Sequence, residues 1–202
     1  LTSVELDENG DGVIDVTIES YQGANSFDVS GNTENTLLAG GAGDENLLGG
    51  SGNDIIFGNA GIDVITGGSG DDIIDGGAGS DIIDGGDGND TLKIAATGAD
   101  GNAAVSINAL EVTNVETISV NNFATGTGTH TIDMSLITGV TSVGLNASSA
   151  AGDTVFDNVP SIVDVFMKNG DADLTVTYVA TVVAGFTDSQ NITVNGVASN
   201  SN

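Results

Sequence analysis

Acidic side chains recur at an interval of nine residues in the middle of this sequence. The interval places one carboxylate in each of six consecutive segments: Glu45, Asp54, Asp63, Asp72, Asp81 and Asp90. If such segments wind into coils, the carboxylates stack over one another and their like charges repel. Carboxylate and carbonyl oxygens are the ligands that Ca²⁺ prefers, about six to eight of them per ion. The spacing therefore indicates columns of carboxylates that require a divalent cation.

The segments that carry these carboxylates are nonapeptides that run from Gly40 to Lys93 without insertion. Each approaches the pattern Gly-Gly-x-Gly-x-Asp-x-U-x, in which U at position eight is Leu47, Ile56, Ile65, Ile74, Ile83 or Leu92. One inward side chain per repeat fits a three-residue strand that faces a narrow core. Glycines at positions one, two and four permit the turn that must follow. We expect two nonapeptides, about 18 residues, to close each coil, with strands stacked at the usual spacing.

This pattern, in six tandem copies, resembles the calcium-binding RTX (repeats-in-toxin) family, whose repeats form a right-handed parallel β-roll. The resemblance implies calcium ions between turns n and n+2, held by position-six carboxylates and by turn carbonyls. The carboxylate pairs would be Glu45/Asp63, Asp63/Asp81, Asp54/Asp72 and Asp72/Asp90. The glycines of these turns are Gly49, Gly50, Gly52, Gly67, Gly68, Gly70, Gly76, Gly77, Gly79, Gly85, Gly86 and Gly88. The chain departs from the family pattern at Glu45, Asn59 and Ile62.

A second candidate calcium loop precedes the repeats. Its oxygen side chains are Asp7, Asn9, Asp11 and Asp15, and Gly12 allows the sharp turn of the D-x-[DN]-x-[DN]-G motif. The twelfth position of that motif is Ile18 instead of an acid, so the loop is not a complete EF-hand. A solvated hairpin turn is the alternative interpretation. The residues that follow, Val13 to Ile18, are rich in β-branched types and predict a strand.

The charge balance excludes several classes of partner. The 202 residues include 29 acidic and two basic side chains, for a formal net charge of -27. We expect no nucleic-acid partner, because phosphate binding needs Lys and Arg, and no membrane insertion, because no apolar run of about 18 residues occurs. The chain has no cysteine and begins at Leu1 without a recognisable signal peptide. We expect a processed product or a fragment of a longer protein.

Beyond the repeats, short alternating runs predict further β-structure over residues 96–202. They include residues 110–112, 117–120, 131–136, 142–145, 163–167, 174–178 and 192–194. We predict an all-β chain: a lead-in over residues 1–30, a parallel β-roll over 31–95, and a further β-solenoid or β-sandwich over 96–202. The single histidine, His130, is interpreted as a solvated strand residue. The sequence has no HExxH and no GxSxG motif, and its Gly-Ser-Gly matches at Ser51 and Ser69 lie in repeat turns, so we expect no enzyme.

Position seven of the repeats is also apolar, at Ile55, Val64, Ile73 and Ile82. If position eight points inward, these side chains point outward. They predict either a contact surface or a simple preference for β-structure, and the sequence does not separate the two.

The region over residues 96–202 contains Asn114-Val115-Glu116-Thr117-Ile118 and a Leu-x-x-Val-Thr-Ser-Val-x-Leu-like segment from Leu136 to Leu145. With these segments it resembles the regions near RTX repeats in surface-layer (S-layer) proteins exported by type I secretion. The resemblance implies an extracellular, calcium-dependent structural protein of a bacterial surface layer, with several Ca²⁺ ions. Its partners would be copies of itself in a lattice or filament, and cell-surface polysaccharide through regions outside this chain. Two alternatives stay open: an adhesin segment that binds a glycan or host surface, and the secretion and folding domain of a larger RTX enzyme.

Overall fold

The computed structural model describes residues 16–19, 26–96, 111–122, 129–148, 153–168, 173–179 and 191–194. In these ranges every regular element is a β-strand. The predicted all-β class is therefore confirmed. No helix among the described residues is long and apolar enough to cross a membrane.

The chain forms two compact units, one of Leu1–Lys93 with Asn108–Thr117 and one of Ile94–Ile107 with Ile118–Asn202. The first unit contains β1 (Val16–Glu19), β2 (Ser26–Asp28), β3 (Thr36–Ala39), β4 (Asn46–Leu48), β5 (Ile55–Phe57), β6 (Val64–Ser69), β7 (Ile73–Asp75), β8 (Ile82–Asp87), the first three residues of β9 (Thr91–Ala96), and β10 (Glu111–Thr113).

Odd-numbered and even-numbered strands of this unit lie in different sheets. One sheet has the order β1-β3-β5-β7-β9 and the other the order β10-β8-β6-β4-β2, and their neighbours pair in parallel. Within the repeats each strand pairs with the strand 18 residues later, so that Leu38 faces Ile56 and Ile56 faces Ile74. The alternation between sheets confirms a parallel β-solenoid in which two nonapeptides make one coil.

The core of this solenoid is a single file of position-eight side chains in each sheet. Leu47, Ile56, Ile65 and Ile74 are fully buried, and Ile83 and Leu92 are 2% exposed. Leu38 is equally buried, which places β3 in phase with the repeats as predicted. Position seven points outward: Val64 is 40% exposed and Ile82 37%. Alternation in a three-residue strand explains both results, because successive side chains lie on opposite faces.

The second unit has the strands β11 (Thr117–Asn122), β12 (His130–Asp133), β13 (Ser142–Ser148), β14 (Thr154–Val159), β15 (Asp164–Met167), β16 (Leu174–Tyr178) and β17 (Asn191–Val194). Strands β12, β14 and β16 pair in parallel, as do β13 and β15, whereas β17 pairs antiparallel with β16. The sequence predicted either a β-solenoid or a β-sandwich for this region. Parallel pairing of alternate strands is the arrangement found in a solenoid. The sequence analysis did not predict β14. It predicted that β12 ends at Leu136, three residues beyond its end at Asp133.

His130 is not a solvated residue, and that prediction is wrong. It is 2% exposed, in register with the fully buried Thr154 of β14. The cause is strand alternation: His130, Ile132 and Met134 are all buried, whereas Thr131 and Asp133 are not. The spacing of Ile132 and Met134 was the signal from which an inward His130 could have been predicted.

The file of position-eight side chains allows a matched test of core packing. We expect Ile83→Ala to lower the free energy of unfolding in saturating calcium by about 2–5 kcal/mol, because the side chain is 2% exposed and its removal leaves a cavity. Ile82→Ala, one residue away and 37% exposed, should cost less than about 1 kcal/mol. Urea unfolding followed by circular dichroism measures both. Equal losses would show that position eight does not form the core.

Candidate metal centre

The turns of the first unit lie along two edges of the solenoid. We name each edge after its central carboxylate. The Asp72 edge comprises residues 49–54, 67–72 and 85–90, which precede β5, β7 and β9. The Asp63 edge comprises residues 40–45, 58–63 and 76–81, which precede β4, β6 and β8. The position-six carboxylates therefore separate into two columns, as the 18-residue coil requires.

A chain of hydrogen bonds runs along the Asp72 edge, always in the same direction. The backbone N–H of Thr36 donates to Oδ1 of Asp54 at 2.7 Å, that of Asp54 to Oδ1 of Asp72 at 2.7 Å, and that of Asp72 to Oδ1 of Asp90 at 2.8 Å. Each position-six residue thus donates its N–H to the carboxylate of the coil that follows. These bonds fix one oxygen of every carboxylate in the column.

The Asp63 edge repeats this arrangement. The N–H of Glu45 donates to Oδ1 of Asp63 at 2.8 Å, and the N–H of Asp63 donates to Oδ1 of Asp81 at 3.0 Å. The four predicted carboxylate pairs are therefore neighbours in the structure, each joined by a hydrogen bond from the backbone N–H of its first member. The longer side chain of Glu45 keeps its place in the column.

The second oxygen of these carboxylates has an incomplete environment. The six position-six side chains are at most 5% exposed. Oδ2 of Asp54 accepts the N–H of Gly50 at 2.8 Å. In contrast, four buried oxygens have no hydrogen-bond partner among the described residues: Oε1 of Glu45 and Oδ2 of Asp63, Asp72 and Asp90. A buried carboxylate oxygen without a partner is costly, so these atoms fit a site that binds a cation.

Position-one glycines leave the space into which these oxygens point. A Cβ added to Gly67 would collide with Oδ2 of Asp72 and with the carbonyl oxygen of Gly85 in the next coil. The same pairing of a carboxylate oxygen with a following position-one carbonyl occurs at Gly40, Gly49 and Gly58. Carboxylate and carbonyl oxygens thus converge where only glycine fits, which is the donor set that suits Ca²⁺.

The position-two carbonyls accept hydrogen bonds from the next coil. The carbonyl oxygen of Gly50 accepts the N–H of Ser69 at 2.9 Å, and that of Gly41 accepts the N–H of Ala60 at 3.1 Å. These bonds belong to the ladder that stacks the coils. The position-one carbonyls of Gly67, Gly76 and Gly85 are the ones that lie beside carboxylate oxygens.

Asn59 replaces glycine at position two without disrupting its turn. Its φ is 72°, in the left-handed region, where Gly68 (119°), Gly77 (85°) and Gly86 (104°) also have positive values. Asparagine is the residue other than glycine that adopts this region most readily. Its side-chain amide donates to the carbonyl oxygen of Gly40 at 2.7 Å, which ties the third repeat to the first.

A ladder of position-five side chains reinforces the Asp72 edge and was not predicted. The N–H of Asn53 donates to Oδ1 of Asn35, that of Asp71 to Oδ1 of Asn53, and that of Asn89 to Oδ1 of Asp71, at 2.8–3.0 Å. On the Asp63 edge the N–H of Ile62 makes an equivalent hydrogen bond to Oδ1 of Asp44 at 2.8 Å. Asn or Asp at position five of alternate repeats was the available signal.

Among the described residues, no group of three or more acidic, histidine or cysteine side chains is arranged to hold a metal ion by itself. Each candidate site instead combines two carboxylates of one column with turn carbonyls, so its donors are shared with the neighbouring sites. The predicted loop of Asp7, Asn9, Asp11 and Asp15 lies outside the described residues.

Burial and mutual repulsion raise the pKa of these carboxyl groups. For Asp72, burial and then the charges of Asp54, Asp90 and Asp71 raise the pKa to about 7. For Asp63, burial and then the charges of Asp81 and Glu45 raise the pKa to about 6. Burial also raises the pKa of Asp54, Asp81 and Asp90. Without a cation, the folded columns therefore retain protons that an unfolded chain has released.

This difference predicts the pH dependence of the calcium-free protein. The raised pKa values favour the folded state below the unfolded pKa of 3.8, and this contribution disappears as the pH rises through about 6 and about 7. We expect calcium-depleted protein to have more β-sheet circular dichroism at about pH 5 than at about pH 8. Added calcium should restore the signal at the higher pH. A calcium-free signal that grows with pH would contradict this account.

One comparison with known proteins gives a match and two give none. Residues 30–65 and 57–92 match the family described as RTX calcium-binding nonapeptide repeat (4 copies). No curated protein and no solved structure matches the chain. The matched residues include all six nonapeptide carboxylates from Glu45 to Asp90. The repeat region, residues 30–92, therefore carries RTX calcium-binding nonapeptide repeats.

Proposed function

We propose that this chain is a non-enzymatic structural protein of a bacterial surface layer, folded by calcium outside the cell. The observation that carries the calcium part is the set of buried carboxylate oxygens without partners, aligned with turn carbonyls on two edges. Bound Ca²⁺ would supply the positive charge that these columns lack. The residues that would hold it are Glu45, Asp54, Asp63, Asp72, Asp81 and Asp90, together with the position-one carbonyls.

The mechanism is folding coupled to metal binding. Without a cation, burial and repulsion of the stacked carboxylates oppose the roll, as the raised pKa of Asp63 and Asp72 indicates. A ligand that binds only the folded state stabilises it by RT ln(1 + [L]/Kd), about 2.7 kcal/mol at 100 times Kd for each site. Several sites in two columns make this contribution large compared with typical domain stability.

An extracellular location fits the calcium supply. Extracellular modules bind calcium with Kd of about 10⁻⁴–10⁻³ M, far above the concentrations that cytosolic sensors detect. A chain with sites of this class stays unfolded in the cell and folds after export. The resemblance to RTX proteins supports type I secretion as the route.

Self-assembly is supported by the outer faces of the roll. Val64 and Ile82 are in register on one sheet, and half-buried Ile55 and Ile73 are in register on the other. Apolar side chains aligned on a flat sheet favour contact with another surface. We propose copies of the same chain as that partner, and cell-surface polysaccharide as a partner of regions outside this chain.

The calcium columns predict unequal effects of two matched substitutions. Asp72 has a carboxylate before it and after it in its column. The residue before Asp54 in the column is Thr36, which has no carboxylate. We expect Asp72→Asn to raise the calcium midpoint of folding more than Asp54→Asn, because it removes charge from two sites instead of one. Calcium titration followed by β-sheet circular dichroism measures the midpoints. Equal shifts would exclude shared ligands, and a wild-type spectrum unchanged by excess chelator would exclude calcium-coupled folding.

The surface-layer proposal predicts visible order. Purified protein should form sheets or filaments in electron micrographs when calcium is added, and these should disperse in chelator. Monodisperse particles in both conditions would contradict self-assembly and favour the adhesin or secretion-domain alternatives. Protein with added Mg²⁺ at the same concentration is the control, because Mg²⁺ accommodates a smaller and more rigid ligand shell.

A further inference from the structure

The last nonapeptide carboxylate, Asp90, has a neighbour that does not belong to the repeat. Its N–H donates to Oε2 of Glu116 at 2.8 Å, as the N–H of Asp72 donates to Asp90. The backbone hydrogen bond after position six is also repeated here. The N–H of Thr117 donates to the carbonyl oxygen of Asp90 at 3.0 Å, as the N–H of Thr91 donates to that of Asp72. Glu116 thus takes the place of a position-six residue, 26 residues after Asp90 instead of 18.

Asn114 supplies the carbonyl that a following repeat would have supplied. A Cβ on Gly85 would collide with the carbonyl oxygen of Asn114 and lie 2.6 Å from Oδ2 of Asp90. At Gly67 the equivalent pair is Gly85 O and Asp72 Oδ2. Asn114 has a φ of 51°, and its side-chain amide donates to Oδ1 of Asp84 at 2.8 Å, which holds this carbonyl in position.

An independent observation points to a ligand at this place. Asp90 is fully buried, and its Oδ2 has no hydrogen-bond partner among the described residues. The same atom lies beside the space that a Cβ of Gly85 would occupy, opposite the carbonyl oxygen of Asn114. The unpaired oxygen, the carbonyl and the Glu116 carboxylate thus form the same donor set as the repeat sites.

We infer that Asp90, the carbonyl oxygen of Asn114 and Glu116 form a further calcium site, which closes the Asp72 edge with residues from outside the nonapeptide array. The site rests on the proposed calcium-dependent folding. Glu116 follows Asn114 by two residues, whereas Asp90 follows Gly85 by five. The extra methylene of glutamate lets a shorter turn bring its carboxylate to the column.

Glu116→Gln tests this site. Glutamine keeps the size of the side chain and an oxygen that accepts the N–H of Asp90, and it removes the negative charge. Native mass spectrometry at increasing calcium should show one fewer bound ion per chain than in the wild type. Glu111→Gln is the matched control. Glu111 is exposed on β10, so this substitution removes the same charge without changing the carboxylate column. It should keep the wild-type number of ions.

The outcomes separate this inference from the proposed function. If Glu116→Gln binds as many ions as the wild type, with the same affinity, the site is wrong and the repeat sites stand. If the wild type binds no calcium, the proposed function itself is wrong.

A measurement on the wild type decides the case in which the variant does not fold. In wild-type protein that is folded in calcium and labelled with ¹³C at glutamate carboxyl carbons, replacing Ca²⁺ with Sr²⁺ should shift the resonance of Glu116 and leave that of Glu111 in place. An unchanged Glu116 resonance, while that of Glu45 shifts, would overturn the site.

Discussion

Charge repulsion between carboxylates in register is the constraint on which the rest of the first unit depends. A parallel coil of 18 residues places every position-six side chain against its counterpart in the next coil, and the core beside it is only one side chain wide. A thin core buries little apolar surface per residue, so it offsets little unfavourable electrostatic energy. Neutralising the carboxylate columns is therefore as important for the stability of the fold as packing the file of Ile and Leu side chains.

The repeat region could be predicted from sequence because its signals are periodic. Nine-residue spacing determines which side chains face inward and which carboxylates share a column, and the structure confirms both for Ile56 and Asp72. Departures from the period were harder to interpret. Glu116 follows Asp90 by 26 residues instead of 18, so the nine-residue spacing does not predict its place in the column. Asn59 can replace glycine because of its positive φ, which the sequence does not state.

The second unit was predicted less well for a related reason. Its strands pair in register at separations that vary, from His130 to Thr154 and from Thr154 to Leu174, so no fixed interval marks the coils. Strand β14 was missed because its alternating side chains include Asp157 and Asn158. The burial of His130 follows from its alternation with Ile132, a local signal that outweighs the usual preference of histidine for the surface.

The hydrogen bonds that join successive carboxylates of one column all point the same way. The N–H groups of Glu45, Asp54, Asp63 and Asp72 donate toward the coil that comes later in the chain. The carboxylate oxygens at Gly49, Gly58 and Gly67 each lie beside a carbonyl from that later coil. A coil is therefore complete only after its successor has been placed. When coils are added in chain order, each carboxylate is placed before the carbonyl that completes its site, so the last coil of the stack is always the incomplete one.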